Sequence, residues 1–455
     1  MPKVSLSFEK GTVLVRGGSQ LGLELPQLTH DPRNGTLRGR ACHYRVIVER
    51  LIELGVDYED DCQRYERRSR TLSVGRVPRD YQAEALEAWR AHGQQGCVIL
   101  PTGAGKTYVA MLAIQSAQRN TLIVAPTLEL VRQWYDELRL SFREDVGIVG
   151  GGEHTVCALT VTTYDSAHIH MEHMGNRFGL IVFDECHHLP SEAYQFAAEG
   201  CLAPFRLGLS ATPERSDGRE SMLTELIGPM VYRKEVTDLA GLFLSEYVVE
   251  TVYVRLSDEE MNAYTVARQR YLAFVRSRGI RFNRKGAWNE FIRAASRSKE
   301  GLAALEAHRE QRRLAHSAPS KLDYVETLLR LHQSEKTIIF TNDNETAYAV
   351  SRRFLLPIIT HQTKVSRRSE ILEQFKTGLY QAVVTSKVLN EGIDVPAASV
   401  AIILSGSGSV REHVQRLGRI LRKAEDKQAV LYELVAEGTA EMNTSNRRRE
   451  HNAYR

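Results

Sequence analysis

Cysteine is scarce in this sequence, and none of it is spaced to work in pairs. Six cysteines stand among 455 residues, at Cys42, Cys62, Cys97, Cys157, Cys186 and Cys201, with no C-x-x-C spacing. That excludes a disulfide framework and a structural zinc site, and it fits a reduced, intracellular protein. No apolar run approaches the ~20 residues that a membrane span needs. The first residues, Met1-Pro2-Lys3-Val4, lack the apolar core of a signal peptide. No internal repeat and no long low-complexity segment stand out. A large charge excess is missing too: 60 Lys and Arg against 56 Asp and Glu leave a net +4. Mild basicity permits a nucleic-acid partner without demanding one. What remains is an ordinary soluble globular composition, 25% charged and 42% hydrophobic, with length for roughly two to four domains.

One stretch organises the rest. Pro101-Thr102-Gly103-Ala104-Gly105-Lys106-Thr107 follows the apolar run Cys97-Val98-Ile99-Leu100 and precedes a helix-like run from Tyr108 to Ile114. Strand, small-residue turn and helix are the context of a phosphate loop. Small residues let successive backbone N–H groups converge, and the new helix adds unpaired donors and a positive dipole end. Lys106 can reach the β- and γ-phosphates of ATP, and the Thr107 hydroxyl can ligate Mg²⁺. Leu100 stands where the full pattern has its first glycine, so this is a shortened form. A glycine-rich turn that merely precedes Lys-Thr is the plain alternative.

The chain changes character along its length. In residues 1–75, Val4, Leu6 and Phe8 alternate with polar residues, Glu9-Lys10-Gly11 offers a turn, and Thr12-Val13-Leu14-Val15 is strand-like; this spacing predicts a hairpin. Helical spacing over 44–54 ends at Gly55, completing a small α+β module. The Arg-rich run 63–70 reads as a solvated start to a linker. Residues 76–240 alternate buried-strand candidates at 97–100, 122–125, 159–162, 180–183 and 207–209 with helical stretches. That pattern predicts a parallel sheet covered on both faces, with ligands at the carboxyl ends of its strands. Residues 241–318 read as a basic helical insertion: Ser257-Asp258-Glu259-Glu260 is a capping box, and Tyr264, Tyr271 and Phe274 follow at helical spacing. Residues 319–438 return to α/β alternation, with strands at 337–340, 358–360, 382–385, 400–404 and 429–434, and no phosphate loop. The tail, 439–455, is polar, carries Arg447-Arg448-Arg449, and is expected to be at least partly disordered.

Other motifs join the phosphate loop. Leu180-Ile181-Val182-Phe183 runs into Asp184-Glu185-Cys186-His187. Asp184 suits a Mg²⁺ site, and Glu185 suits a general base for the attacking water; acids capping the next helix are the alternative. The hydroxyls of Ser210-Ala211-Thr212 can sense phosphate and connect to Glu185 or His187, or form an ordinary turn. Gln415-Arg416-Leu417-Gly418-Arg419-Ile420-Leu421-Arg422 spaces its arginines three apart on one helix face. They suit an arginine finger or a basic nucleic-acid surface. Ser386 to Pro396, with Glu391-Gly392-Ile393-Asp394, reads as a connecting loop.

Arg79-Asp80-Tyr81-Gln82, the phosphate loop, Ala125-Pro126-Thr127, Thr162-Thr163-Tyr164, Asp184-Glu185-Cys186-His187, Ser210-Ala211-Thr212, Glu391-Gly392-Ile393-Asp394 and Gln415 to Arg422 occur in the order of superfamily 2 helicase motifs. The chain further resembles the XPB family of DNA repair and transcription helicases, in its short archaeal type. The matching stretches are Asp184 to Pro190, Pro204-Phe205-Arg206-Leu207-Gly208-Leu209 and Ser405-Gly406-Ser407-Gly408-Ser409. The resemblance implies two RecA-like parallel-sheet domains, a helical thumb-like insertion and an N-terminal damage-recognition-like domain. It implies an ATP-dependent, Mg²⁺-using DNA helicase or translocase of 3′-5′ polarity in nucleotide-excision-type repair. A double-strand translocase that needs a partner to open strands, and an ATP-switched damage-recognition module, are its rivals. Arg79 and Gln82 would read the adenine. Thr102, Gly103, Ala104, Gly105, Lys106 and Thr107 would bind the phosphates. Asp184 and Glu185 would run hydrolysis, with Arg419 and Arg422 as fingers supported by Gln415 and Arg416, and with Gly392 and Asp394 at the nucleotide. Thr127, Thr163, Arg215 and Asp217 would meet DNA, as would the thumb residues Arg276, Arg278, Arg281, Arg284 and Lys285. Ser216 stands where the family's Arg-Glu-Asp motif has its central acid. Expected partners are DNA at single/double-strand junctions and a nuclease or repair-complex subunit, with no membrane. The expected location in a prokaryote is the cytoplasm, at the nucleoid.

Overall fold

Lys10 and Gly11 both take left-handed backbone angles, φ 46° and 77°. Two such residues make the tight turn that suits a hairpin's twist, and the strands Val4–Glu9 and Thr12–Arg16 pair antiparallel across it. The computed structural model describes residues 4–17, 27–32, 35–73, 75–215, 217–239, 247–282, 284, 286–386, 398–406 and 429–449. The chain divides into two compact units, Met1–Val236 and Thr237–Arg455.

The first unit holds two sheets. The smaller runs in the order Thr29–Asp31, Thr36–Arg40, Thr12–Arg16, Val4–Glu9, Tyr58–Asp61. Its last pairing is parallel, the others antiparallel. The helix Tyr44–Glu53 covers it with Tyr44, Ile47 and Leu51, one buried face. The larger sheet runs Met230–Arg233, Gln95–Ile99, Phe205–Ser210, Leu180–Asp184, Thr121–Ala125, Leu159–Thr163, Val146–Gly150, Glu153–His154. Every pairing but the last is parallel. All five residues are buried in each of Thr121–Ala125, Leu159–Thr163 and Leu180–Asp184, as helices on both faces require. The carboxyl ends of neighbouring strands therefore share one edge, where the phosphate loop, Ser210, Asp184, Thr127 and Thr163 fall in order. On Phe205–Ser210, Gly208 leaves room for two sulfurs: a Cβ built there would lie 2.8 Å from Cys97 Sγ and 3.1 Å from Cys186 Sγ.

The second unit has a six-stranded, all-parallel sheet: Tyr247–Val254, Ala429–Ala436, Val400–Ile403, Thr337–Phe340, Ala382–Thr385, Ile358–Ile359. Three helices, Asp258–Ser277, Ala287–Ala295 and Lys299–Ser317, follow the first strand. Their shared core includes Tyr271, Phe274, Phe291 and Ala304. Ser257 caps the first of them, accepting from Glu260 N while Glu260 accepts from Ser257 N.

Three expectations need correction. The stretch 241–318 is not a wholly helical insertion: its strand Tyr247–Val254 pairs with Ala429–Ala436 at the edge of the second sheet. The Arg-rich run is not all solvated. Arg64, Arg67 and Arg68 are exposed, but Arg70 is buried, donating to Glu144 at 3.0 and 3.2 Å and to the Arg119 carbonyl at 2.5 Å. A buried guanidinium is tolerated only with such partners. Of the tail, 439–455, the described part holds the helix Glu441–Arg449, and 450–455 lie outside the described residues. Polar composition argues for disorder only where nothing is buried, and Glu441 is buried.

Candidate active site

Gly103 and Gly105 of the phosphate loop have φ 86° and 81°, angles that L side chains rarely adopt. Gly105 caps the helix Lys106–Ala117. A Cβ on Gly105 would also lie 2.6 Å from Gln82 Nε2. The helix Asp80–Ala91 thus rests directly on the loop. Gln82 Nε2 donates to the Ala104 carbonyl at 3.1 Å, Tyr81 donates to the same oxygen at 2.7 Å, and Gln82 Oε1 accepts from Arg79 N at 3.0 Å. Arg79 in turn donates to the Tyr81 hydroxyl at 3.0 Å. Lys106 Nζ donates to the Leu100 carbonyl at 3.2 Å, across the mouth of the loop.

Asp184 closes the strand Leu180–Asp184 two strands away. Its Oδ1 accepts from Glu185 N at 3.0 Å and its Oδ2 from Trp134 Nε1 at 2.8 Å. Burial, then the negative charge of Glu185, pushes the Asp184 carboxyl up to about 6; the Trp134 bond and Lys106 pull the other way. Glu185 has φ 47°, an uncommon angle for a side-chain-bearing residue and of the kind that clusters at functional sites. His187 Nδ1 lies 3.0 Å from Ser210 Oγ and 3.4 Å from Glu185 Oε2. Ser210 Oγ donates to the Thr212 carbonyl at 3.1 Å. The triplet after Phe205–Ser210 is thereby tied to the Asp-Glu-Cys-His turn. The Thr102 and Thr212 hydroxyls and Glu185 Oε2 are buried with no hydrogen-bond partner among the described residues. Buried polar atoms are normally satisfied, so these three fit a site built for a polar ligand such as a nucleotide with its cation.

The DNA-side candidates are placed as follows. Thr127 accepts from Leu130 N at 3.3 Å and Thr163 from Ser166 N at 3.1 Å, so each caps a helix. Arg215 and Asp217 form a two-pronged pair at 2.8 and 2.7 Å, and Arg215 also donates to the His187 carbonyl.

Three stretches of the chain match known family patterns. Residues 6–62 match the xeroderma pigmentosum group B helicase damage recognition domain. Residues 76–215 match the res subunit of type III restriction enzymes. Residues 299–453 match the ERCC3/RAD25/XPB C-terminal helicase. A Sulfurisphaera tokodaii protein named DNA 3′-5′ translocase XPB2 is 44% identical over 372 residues, which cover 82% of this chain and 84% of that one. The chain belongs to the XPB family. A second XPB relative, the DNA 3′-5′ helicase XPB of Kineococcus radiotolerans, is 32% identical over 406 residues, 86% of this chain and 66% of that one. The helicase domain of Pyrococcus furiosus Hef shares the fold, with a TM-score of 0.56 at 20% identity over 81% of this chain and 97% of that one.

In this XPB chain the thumb-like candidates Arg276, Arg278, Arg281 and Arg284 are all exposed. Arg278 lies over the Phe274 ring at 5.4 Å. Gly392, Asp394, Gln415, Arg416, Arg419, Arg422, Lys285 and Ser216 lie outside the described residues. Sequence reasoning missed Trp134 and gave Tyr164 no role, though both donate to Asp184. Their signal is spatial: the contacts join residues 50 and 20 positions apart.

Proposed function

We propose that this chain is an ATP-dependent DNA helicase or translocase that moves 3′ to 5′ and serves DNA repair. One observation carries the reading: the phosphate loop, the Asp184–Glu185 pair and the His187–Ser210 link share one edge of a single parallel sheet. Neighbouring strands deliver them there, and that edge is where such sheets bind ligands.

The roles follow from chemistry. The phosphate-loop backbone and Lys106 hold the β- and γ-phosphates, while Arg79 and Gln82 bring the adenine against the loop. Thr107 and Asp184 would hold Mg²⁺, which when bound neutralises charge on the phosphates. Glu185 accepts the proton of the attacking water, and its contact with His187 passes its position to Ser210 and Thr212. Arg419 and Arg422, supported by Gln415 and Arg416, act as finger arginines, and Gly392 and Asp394 complete the nucleotide contacts. Thr127, Thr163, Arg215, Asp217 and the thumb arginines with Lys285 hold DNA, largely through phosphates, so binding is salt-sensitive and indifferent to sequence. The proposed domain limits are 1–75, 76–240, 241–318, 319–438 and 439–455. The proposed partners are DNA junctions and a nuclease or repair-complex subunit.

The test is ATPase activity with and without single- and double-stranded DNA and RNA, beside strand-displacement and triplex-displacement assays. Stimulation by DNA with strand displacement fits a helicase. Triplex displacement alone fits the double-strand translocase. Stimulation by RNA only overturns the reading.

A further inference from the structure

Two helices connect the proposed DNA side of the first unit to Asp184. Thr127 caps the helix Leu128–Phe142, and Thr163 caps the helix Tyr164–Met174. Each helix also carries one aromatic side chain that donates to Asp184. Trp134 Nε1 donates to the carboxylate at 2.8 Å, and the Tyr164 hydroxyl donates to the main-chain carbonyl at 2.9 Å. Trp134 and Tyr164 are each only 2% exposed. The two caps are neighbours: a Cβ built on Gly150 would lie 3.7 Å from Thr163 Oγ1 and 3.6 Å from a Leu128 methyl, on the first residue after Thr127.

We infer that Trp134 and Tyr164 are positioning residues through which DNA contact at the helix ends capped by Thr127 and by the buried Thr163 sets the Asp184 carboxylate for hydrolysis. This rests on the DNA-motor reading above. Helix stiffness carries the coupling. An α-helix moves as a rod, so a small tilt at a capped end displaces a side chain two turns along. Indole N–H is a donor only and has no second way to satisfy itself. Asp184 must therefore follow Trp134 or leave a buried donor unpaired, a costly alternative. With Oδ1 held by Glu185 N and Oδ2 by Trp134, the carboxylate plane is set from both sides. The Tyr164 bond fixes the backbone from which that carboxylate hangs. A bystander role in core packing predicts none of this, because Phe would serve in either place.

The experiment compares the full-length parent with Trp134→Phe and Tyr164→Phe, each at saturating ATP and Mg²⁺, with and without a duplex bearing a 3′ single-stranded overhang. The expected result is a fall in the DNA-stimulated to DNA-free ATPase ratio. The fall is on the order of tenfold for Trp134→Phe, which loses a bond to a charged group, and about threefold for Tyr164→Phe. The loss should lie in kcat, with the ATP KM and the DNA Kd within about twofold of the parent. An equal fall with and without DNA overturns the inference, because Trp134 would then merely orient Asp184. An unchanged ratio in both variants overturns it as well. Should Trp134→Phe fail to fold, Tyr164→Phe, which removes one oxygen, decides alone. A parent that no DNA stimulates overturns the motor reading itself, and this inference with it.

Discussion

Lys321 Nζ and Glu441 Oε2 lie 2.6 Å apart, with both side chains closed to solvent. Lys321 also donates to the Ala315 carbonyl at 3.0 Å, and Glu441 Oε2 accepts from Ala436 N at 2.9 Å. Three segments meet at one ion pair: the end of the helix Lys299–Ser317, the start of the helix Pro319–Leu331, and the C-terminal helix. Breaking one side leaves a buried charge. Glu441→Gln or Lys321→Met should each destabilise the second unit by about 3–5 kcal/mol, whereas joint replacement by apolar residues should cost far less. Chemical denaturation of the single and double variants measures this; additive losses would contradict it.

Glu185→Gln removes the proposed base and leaves Lys106, Thr107 and Asp184 in place. ATP binding should persist while kcat falls about 10²–10⁴-fold. Turnover near the parent rate would move the base elsewhere.

Arg276, Arg278, Arg281 and Arg284 are exposed, and none is ion-paired among the described residues. Neutralising them together with Lys285 should weaken DNA binding and make the log Kd against log salt plot shallower, by about 0.9 per lost duplex phosphate contact. ATPase without DNA should survive. An unchanged slope would show that the thumb-like helices do not grip DNA.

Acid should loosen the thumb-like helices. His308 sits against the Tyr271 and Trp288 rings, each with its centroid at 4.9 Å. Burial, then the charges of Arg312 and Arg309, push it from its ordinary 6.5 down to about 4. The unfolded chain takes the proton near 6.5 and the folded chain resists until about 4, so the unfolded state binds more protons between those values. Stability is full above about pH 6.5 and falls as pH drops toward about 4. Denaturation midpoints across that range, followed by Trp288 fluorescence, should decline for the parent and decline less for His308→Gln.

The central strands were legible because burial on both faces makes them continuously apolar: 122–125 and 180–183 fall inside the observed Thr121–Ala125 and Leu180–Asp184. Among the strands that escaped notice are three from the two larger sheets. Val146–Gly150 carries two glycines, Met230–Arg233 is partly exposed, and Tyr247–Val254 alternates burial weakly. The Asp-Glu pair and the phosphate loop were legible as local strings. The Trp134 bond to Asp184, the Lys321–Glu441 pair and the buried Arg70 were not, since each joins segments far apart in the chain. The C-terminal helix escaped because the eight residues after the buried Glu441 include one apolar side chain, Met442, and so give no apolar face.

Gly208 has a consequence for how the sequence can vary. The Cys97 and Cys186 sulfurs occupy the space that any side chain at 208 would need, with Ile227 Cδ1 at 3.0 Å completing the wall. Cys97 belongs to the strand feeding the phosphate loop, and Cys186 directly follows Glu185. Positions 97, 186 and 208 thus share one fixed volume beside the hydrolysis site. A methyl at 208 alone overpacks it, a cost of about 1–3 kcal/mol. The same methyl becomes tolerable when a thiol nearby shrinks to alanine. A mutant library that varies these positions singly will discard substitutions that a library varying them jointly will keep.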